Sequence, residues 1–195
     1  MKFFRALYLN NRLFIAIAIV VTFFIASFIA DGSLLVISKG LFFLLLSVIL
    51  TDVILLFRIK KAIIASRVTP EKLSNGDENE LKIFLENFYP FKVDLNVIDE
   101  IPHQFQRRDL NFAVRIEPGE KKVIQYHIRP VKRGEYSFGT VNVFASSPLG
   151  LLSRRFKFSG EAMVPVYPSF IQMRKYELMA ISNRLVESGI KRIRG

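Results

Sequence analysis

A chain of 195 residues without cysteine can form neither a disulfide framework nor a thiolate metal site. Its formal net charge of +11 suggests binding to nucleic acid, but the positive charge is unevenly distributed along the chain. Lys and Arg outnumber Asp and Glu by eight to two in residues 1–67, fourteen to thirteen in 68–173 and six to two in 174–195. The excess lies beside apolar segments and in the tail, so membrane anchoring explains it better than nucleic-acid binding.

Two apolar runs lie near the amino terminus. Residues 13–30 contain no charged residue, and the only charged residues in 34–57 are Lys39 and Asp52. Eighteen helical residues reach about 27 Å, close to the hydrocarbon thickness of a bilayer. Both runs lack proline, and the first is longer than a typical signal-peptide core. They predict two transmembrane helices; the rest of the chain is too small to enclose them as a buried hairpin.

Basic residues flank this pair of helices on both sides. They are Lys2, Arg5 and Arg12 before the first run and Arg58, Lys60, Lys61 and Arg67 after the second. Short flanks rich in Lys and Arg stay in the cytoplasm. The sequence therefore predicts a hairpin over residues 1–66 in a bacterial inner membrane, with both ends and the following domain in the cytoplasm.

Asp52 is the intramembrane polar residue that attracts attention, since ionisable groups at such depth are often functional. It lies about five residues from the end of its run, however, and two helices cannot enclose a transport pathway. We expect it to pair with Arg12 or with backbone polar groups near the start of the first helix.

Hydrophobic residues alternate with polar ones from residue 67 onward, after a basic segment (58–67) that we expect to continue the second helix. The residues that share a face are Leu81, Ile83 and Leu85; Val93, Leu95 and Val97; Leu110, Phe112, Val114 and Ile116; Ile124, Tyr126 and Ile128; and Val141, Val143 and Ala145. Alternation predicts half-buried strands, and turn signals separate them. Seven or eight such strands predict an antiparallel, immunoglobulin-like β-sandwich over residues 67–170. A single sheet covered on one face is the alternative.

The last segment, residues 171–195, returns to helical spacing. Leu178, Ile181, Leu185 and Val186 recur on one side of a helix, and the segment ends in a basic stretch. We expect a short amphipathic helix or linker there.

Catalytic and metal-binding patterns are not found in the sequence. His103 and His127 are the only histidines, and no phosphate-binding loop, nucleophile elbow or zinc-binding motif occurs. Asp99 and Glu100 lie in a polar turn region and are expected to be solvated. We predict no catalytic residue, no metal, no cofactor and no enzymatic activity.

Two glycine-containing turns form a structural motif in residues 131–156. Gly134 and Gly139 bracket a short strand that carries Tyr136, and we expect them to permit backbone conformations that a β-carbon would resist. In the Ser-Pro-Leu-Gly turn, Pro148 fixes φ and Gly150 is free to take a positive φ.

These residues resemble the domain-of-unknown-function 58 family of bacterial membrane proteins. The matches are Arg133, Gly134, Tyr136 and Gly139, then Pro148, Leu149, Gly150 and Leu151, then Val166, Tyr167 and Pro168. Ser147 replaces the family's acid before the proline, and a serine can also cap a turn. The resemblance implies two transmembrane helices, a β-rich domain and a von Willebrand factor A-like region that would follow residue 195, so a truncated family member is expected.

Family members often neighbour MoxR-type AAA+ ATPases. The resemblance therefore implies a membrane-anchored module that interacts with proteins, namely such an ATPase and von Willebrand factor A-type proteins, in protein assembly or envelope maintenance. The alternatives are a fragment of a membrane enzyme without its active part and a module that senses anionic lipid or the envelope.

Overall fold

The computed structural model describes residues 2–30, 32, 34–107, 110–169, 174 and 176–180. Its helices are α1 (Lys2–Ala6), α2 (Asn11–Ile29) and α3 (Leu35–Phe57), with a 3₁₀ turn at His103–Phe105. Its strands are β1 (Leu7–Leu9), β2 (Ile63–Val68), β3 (Leu73–Ser74), β4 (Asn79–Asn87), β5 (Val93–Asp99), β6 (Asn111–Ile116), β7 (Lys121–Ile128), β8 (Gly134–Phe138), β9 (Val141–Ser146), β10 (Leu152–Phe158) and β11 (Ala162–Tyr167).

The two long apolar helices are confirmed, and they pack against each other. The buried residues of α2 are Leu13, Val20 and Ser27, which recur every seven positions and form one stripe. The hydroxyl of Ser38 on α3 donates a hydrogen bond of 3.0 Å to the carbonyl of Phe23. Small side chains such as these serines allow the backbones of packed apolar helices to approach closely.

The helix α3 ends earlier than the sequence suggests. It stops at Phe57, and β2 begins at Ile63, so the expectation that residues 58–67 continue the helix is wrong. Ile63 and Ala65 are buried while Ile64 is exposed. This period of two is that of a half-buried strand, and it outweighs the helical propensity of the basic residues.

Three sheets form the β-sandwich. One has the order β1-β10-β9-β5-β6 and another β2-β4-β7, and every pair within them is antiparallel. The third, β3-β11-β8, contains a parallel pair, β3 with β11. Buried residues of all three sheets belong to one hydrophobic core, together with Leu13 of α2 and Leu56 of α3. The predicted β-sandwich is thus confirmed, apart from the parallel pair.

The predicted inward faces of four strands are also confirmed, and that of β6 in part: Leu110 and Ile116 are buried, whereas Phe112 and Val114 are half-buried and pack against the core. Leu81, Ile83, Leu85, Val93, Leu95, Val97, Ile124, Tyr126, Ile128, Val141, Val143 and Ala145 are all buried. Strand β9 departs from simple alternation because Asn142 is buried as well. It lies between β10 and β5, in the middle of the five-stranded sheet.

The strand β1 was not foreseen. Leu7 lies opposite Arg154 and Leu9 opposite Leu152, so the segment before the first long helix forms an edge of the five-stranded sheet. Together with β2, it extends the sheets outside the predicted range of 67–170. The amino-terminal segment and the sandwich therefore lie at the same end of the helical hairpin.

The tail lies largely outside the described residues. Residues 176–180 are helical and Leu178 is 63% exposed. Ile181, Leu185 and Val186, on which the predicted amphipathic face depends, lie outside the described residues.

Candidate functional site

The contact between α3 and the sandwich is centred on Asp52. Its side chain is fully buried, at 0% exposure. One carboxyl oxygen accepts a hydrogen bond from the Ser147 hydroxyl, and the other accepts from the backbone N–H groups of Leu151 (3.1 Å) and Leu152 (2.9 Å). We call these four residues the junction. Asp52 thus finds its partners on the sandwich, rather than in Arg12 or at the start of α2 as the sequence suggested.

The Ser-Pro-Leu-Gly turn supplies these donors because Ser147 shapes it. The Ser147 oxygen accepts hydrogen bonds from the N–H groups of Leu149 (3.1 Å) and Gly150 (3.3 Å), while its proton points to Asp52. Gly150 has a φ of +68°, a conformation that favours glycine. The serine therefore caps the turn, as expected, and in addition donates to Asp52, which an ionised aspartate could not do.

The end of α3 is held by side chains of the sandwich. The Arg154 guanidinium donates to the carbonyl oxygens of Leu56 and Ile59, both at 2.6 Å, and of Lys60 at 2.9 Å. The Tyr89 hydroxyl also donates to Leu56, at 2.7 Å, and burial raises the pKa of this hydroxyl. The last carbonyls of a helix lack partners within the helix, so the sandwich satisfies them here.

Asn10 fastens the first long helix to the same turn. Its amide nitrogen donates to the Gly150 carbonyl at 3.1 Å, and its amide oxygen accepts from the Ser153 hydroxyl at 2.6 Å. Its backbone N–H donates to the Leu151 carbonyl at 3.0 Å. Both long helices are therefore bound to one short stretch of the sandwich.

An open polar cavity of about 450 Å³ lies beside this turn. Its lining consists of Leu9, Asn10, Asn11, Arg12, Asp94, Ser146, Ser147 and Gly150. Asp94 forms two hydrogen bonds with Arg115, of 2.6 and 3.1 Å, and these lower the pKa of its carboxyl. The cavity therefore contains an ionised aspartate with a cationic partner, and Arg12 at its edge.

A second polar cluster lies inside the sandwich. Arg67 and Asp99 form a salt bridge with side-chain exposures of 1% and 0%, and the Tyr126 hydroxyl donates to the other oxygen of Asp99. Arg67 also donates to the carbonyls of Gly139 and Gly160. Burial raises the pKa of the Asp99 carboxyl, against the opposing effect of Arg67, and burial with the Asp99 charge raises the pKa of Tyr126. We call Arg67, Asp99 and Tyr126 the core ion pair.

The expectation that Asp99 is solvated is wrong, and the strand pattern contained the signal. Asp99 continues the inward series of Val93, Leu95 and Val97, because alternate residues of a strand point to the same side. Glu100 is exposed but organised: it accepts hydrogen bonds from the Thr140 N–H and hydroxyl, at 3.1 and 2.8 Å, and from Asn142 at 2.7 Å.

The glycine–tyrosine motif is structural. Gly134 has a φ of +139°, and the buried Tyr136 donates a hydrogen bond of 3.0 Å to the carbonyl of Lys132, four residues earlier. This geometry is like the tyrosine corner of immunoglobulin-type sandwiches. A β-carbon on Gly139 would lie 2.9 Å from the Glu100 β-carbon, so this glycine permits a close approach. Arg133 is exposed.

The other predicted motif residues are dispersed. Pro148 lies exposed in the turn beside Ser147. Tyr167 ends β11, where the residue is 49% exposed and its carbonyl accepts a 2.8 Å hydrogen bond from the backbone N–H of Asn75, and Pro168 follows. Of the three motifs, the structure thus brings the Ser-Pro-Leu-Gly turn to Asp52.

Within the described residues, no group of three or more histidine, aspartate or glutamate side chains is arranged to hold a metal ion. His103 lies exposed in the 3₁₀ turn, and His127 is exposed on β7.

No family model matches the chain, and no curated protein matches it. Among solved structures, the chain is similar to the CARDB domain of a Pyrococcus furiosus protein, with 15% identity and a TM-score of 0.36 over 54% of this chain and 87% of that one. It is similar to a PapD-like domain of a human protein, with 15% identity and a TM-score of 0.37 over 53% and 86%. It is also similar to native E. coli alpha-2-macroglobulin, with 18% identity and a TM-score of 0.39 over 55% of this chain and 7% of that one.

Proposed function

We propose that the protein is a bacterial inner-membrane protein whose helices α2 and α3 cross the bilayer. Both helices are long and apolar enough to do so. Their outer surfaces carry large apolar side chains that are exposed. Examples with 55–88% exposure are Phe14, Phe28, Val36, Phe43 and Leu50. Soluble proteins rarely expose apolar patches of this extent, whereas lipid would cover them.

The orientation we propose has the sandwich in the cytoplasm. Because β1 pairs with β10, the amino-terminal segment and the sandwich must lie on the same side of the membrane. That side carries Lys2, Arg5, Arg58, Lys60 and Lys61, and basic flanks favour the cytoplasm.

The function we propose is to hold the sandwich at the membrane surface as a binding module for proteins. The junction and the contacts beside it support this proposal. Asp52 in the junction, and Arg154 and Asn10 next to it, fix the sandwich directly to both helices rather than leaving it on a linker. The resemblance to the domain-of-unknown-function 58 family points to a MoxR-type AAA+ ATPase as the partner, and to von Willebrand factor A-type proteins, in protein assembly or envelope maintenance.

Reporter fusions test the orientation. Alkaline phosphatase fused after Gly32, between the two helices, should be active because it reaches the periplasm. The same enzyme fused after Phe158, at the end of β10, should be silent. The reverse pattern would place the sandwich in the periplasm and would exclude a cytoplasmic ATPase as its partner.

The absence of cysteine allows a clean test of partner binding. Single cysteines would replace exposed residues of the sandwich (Val123, Val131 and Met163), and Val36 on α3 would serve as the control at the far end of the hairpin. With a MoxR-type ATPase from the same genome co-expressed, a thiol-directed cross-linker should join it to at least one sandwich position and not to Val36. No cross-link from any sandwich position would contradict the proposed partner.

A further inference from the structure

The open polar cavity beside the junction has no role in the proposed anchoring of the sandwich. It is lined by residues from the first turn of α2 and from the Ser-Pro-Leu-Gly turn, where the apolar helices meet the sandwich. If the hairpin spans the bilayer as proposed above, this is the level of the lipid headgroups. A polar cavity there is accessible to lipid phosphate.

Arg12 gives the cavity a cationic donor. A β-carbon on Gly150 would lie 2.7 Å from a guanidinium nitrogen of Arg12, so this group lies against the turn at the edge of the cavity. Among the described residues, it forms no hydrogen bond or salt bridge. A guanidinium binds phosphate oxygens through paired N–H groups.

The charges around the cavity favour an anion. Asp94 is negative, but Arg115 binds both of its oxygens at 2.6 and 3.1 Å, and Arg12 and Lys92 also lie close enough to attract it. Three cations against one carboxylate leave a net positive charge, which attracts the negative charge of a phosphodiester. Asn11 and Ser146 add neutral polar groups to the lining.

We propose that this cavity binds the phosphate group of a membrane phospholipid, with Arg12 as its principal ligand. The site depends on the proposed membrane anchoring for its source of phosphate, but the binding itself can be measured in detergent. Its function would be to set the position of the sandwich against the headgroup layer.

Native mass spectrometry of the full chain in detergent tests the proposal, with dioleoylphosphatidylglycerol as the probe. Dioleoylglycerol, which has the same acyl chains and no phosphate, and inorganic phosphate form two further arms. The wild-type chain should retain one phospholipid, and Arg12→Gln should bind it about tenfold to a hundredfold more weakly. Arg5→Gln is the control: it removes the same positive charge from a position outside the cavity, so it should bind the phospholipid as the wild type does.

Asp94→Asn keeps the test decisive if Arg12→Gln does not fold. Removing the carboxylate should strengthen phospholipid binding, a direction that misfolding does not produce. Equal weakening by Arg5→Gln and Arg12→Gln would overturn the proposal in favour of general charge attraction, and equal binding of dioleoylglycerol would overturn a phosphate site. Displacement of the lipid by millimolar inorganic phosphate would make free phosphate the ligand and overturn the lipid assignment. Resistance of the chain to carbonate extraction from membranes tests the anchoring separately.

Discussion

Asp52 and Asp99 are both buried carboxyl groups, but the protein provides them with different kinds of donors. Asp52 receives a hydroxyl and two backbone N–H groups, all from one turn of the sandwich. Asp99 receives a guanidinium from β2 and a tyrosine hydroxyl from β7. The first arrangement fixes a helix to a turn, and the second joins strands of different sheets.

The two arrangements should respond differently to the loss of one partner. Loss of one partner in the core ion pair leaves a full charge buried without compensation, which is among the largest single-residue penalties in proteins. Loss of Asp52 leaves only neutral donors without acceptors, and each of these costs less. The core ion pair should therefore be the more sensitive of the two regions.

Arg67→Met should produce the largest effect, because it leaves Asp99 buried without its counter-ion. We expect the free energy of unfolding to fall by about 3–5 kcal/mol. The measurement is urea unfolding of the full chain in detergent micelles, followed by the circular dichroism of the β-sheets.

Arg115→Met is the matched control for Arg67→Met, since the Arg115–Asp94 pair is 63% and 53% exposed. Exposed pairs contribute little, so this variant should unfold close to wild type. Equal losses in the two variants would show that burial of the core ion pair is not what makes it important.

Asp52→Ala should produce the next largest effect, about 2–4 kcal/mol, because the Ser147 hydroxyl and two N–H groups lose their acceptor. Trypsin should also cut faster at Arg58, Lys60 and Lys61, which follow the released end of α3. Thr51→Ala is the control: Thr51 is exposed and bonds only back to its own helix, at 2.9 Å. If the hydrogen bonds of Asp52 contribute nothing to stability, Asp52→Ala and Thr51→Ala should have equal free energies of unfolding and equal rates of trypsin cleavage.

The strand pattern could have predicted the core ion pair more readily than the junction. Arg67 follows Ile63 and Ala65, and Asp99 follows Val97, each at the spacing that points inward. Opposite charges at two inward positions already indicate a buried pair. The junction joins residues about one hundred positions apart, and β1 has only three residues, so neither leaves a local pattern in the sequence. Only the composition of α3 pointed to Asp52.

Gly139→Ala tests how tightly the region around the core ion pair is packed. The new β-carbon would lie 2.9 Å from the Glu100 β-carbon and 3.1 Å from its carbonyl oxygen, so backbone or side chain must shift. We expect a loss of about 1–3 kcal/mol in the same unfolding measurement. Gly40→Ala, in α3 with open space around it, should be neutral or slightly stabilising. If Gly139→Ala is as mild as Gly40→Ala, the region adapts more easily than its geometry implies.

The smallest expected effect is a difference between two tyrosines. Tyr126 and Tyr136 are both buried, at 6% and 1% exposure, and each donates one hydrogen bond. The acceptor of Tyr126 is the Asp99 carboxyl, and that of Tyr136 is the neutral carbonyl of Lys132. Hydrogen bonds to charged groups contribute more than neutral ones, so Tyr136→Phe should cost about 1 kcal/mol and Tyr126→Phe roughly 1 kcal/mol more. Each variant removes a single oxygen from a buried ring, so the packing terms nearly cancel. Equal losses would mean that Arg67 alone satisfies the Asp99 charge, and that the tyrosine contributes no more than an ordinary hydroxyl.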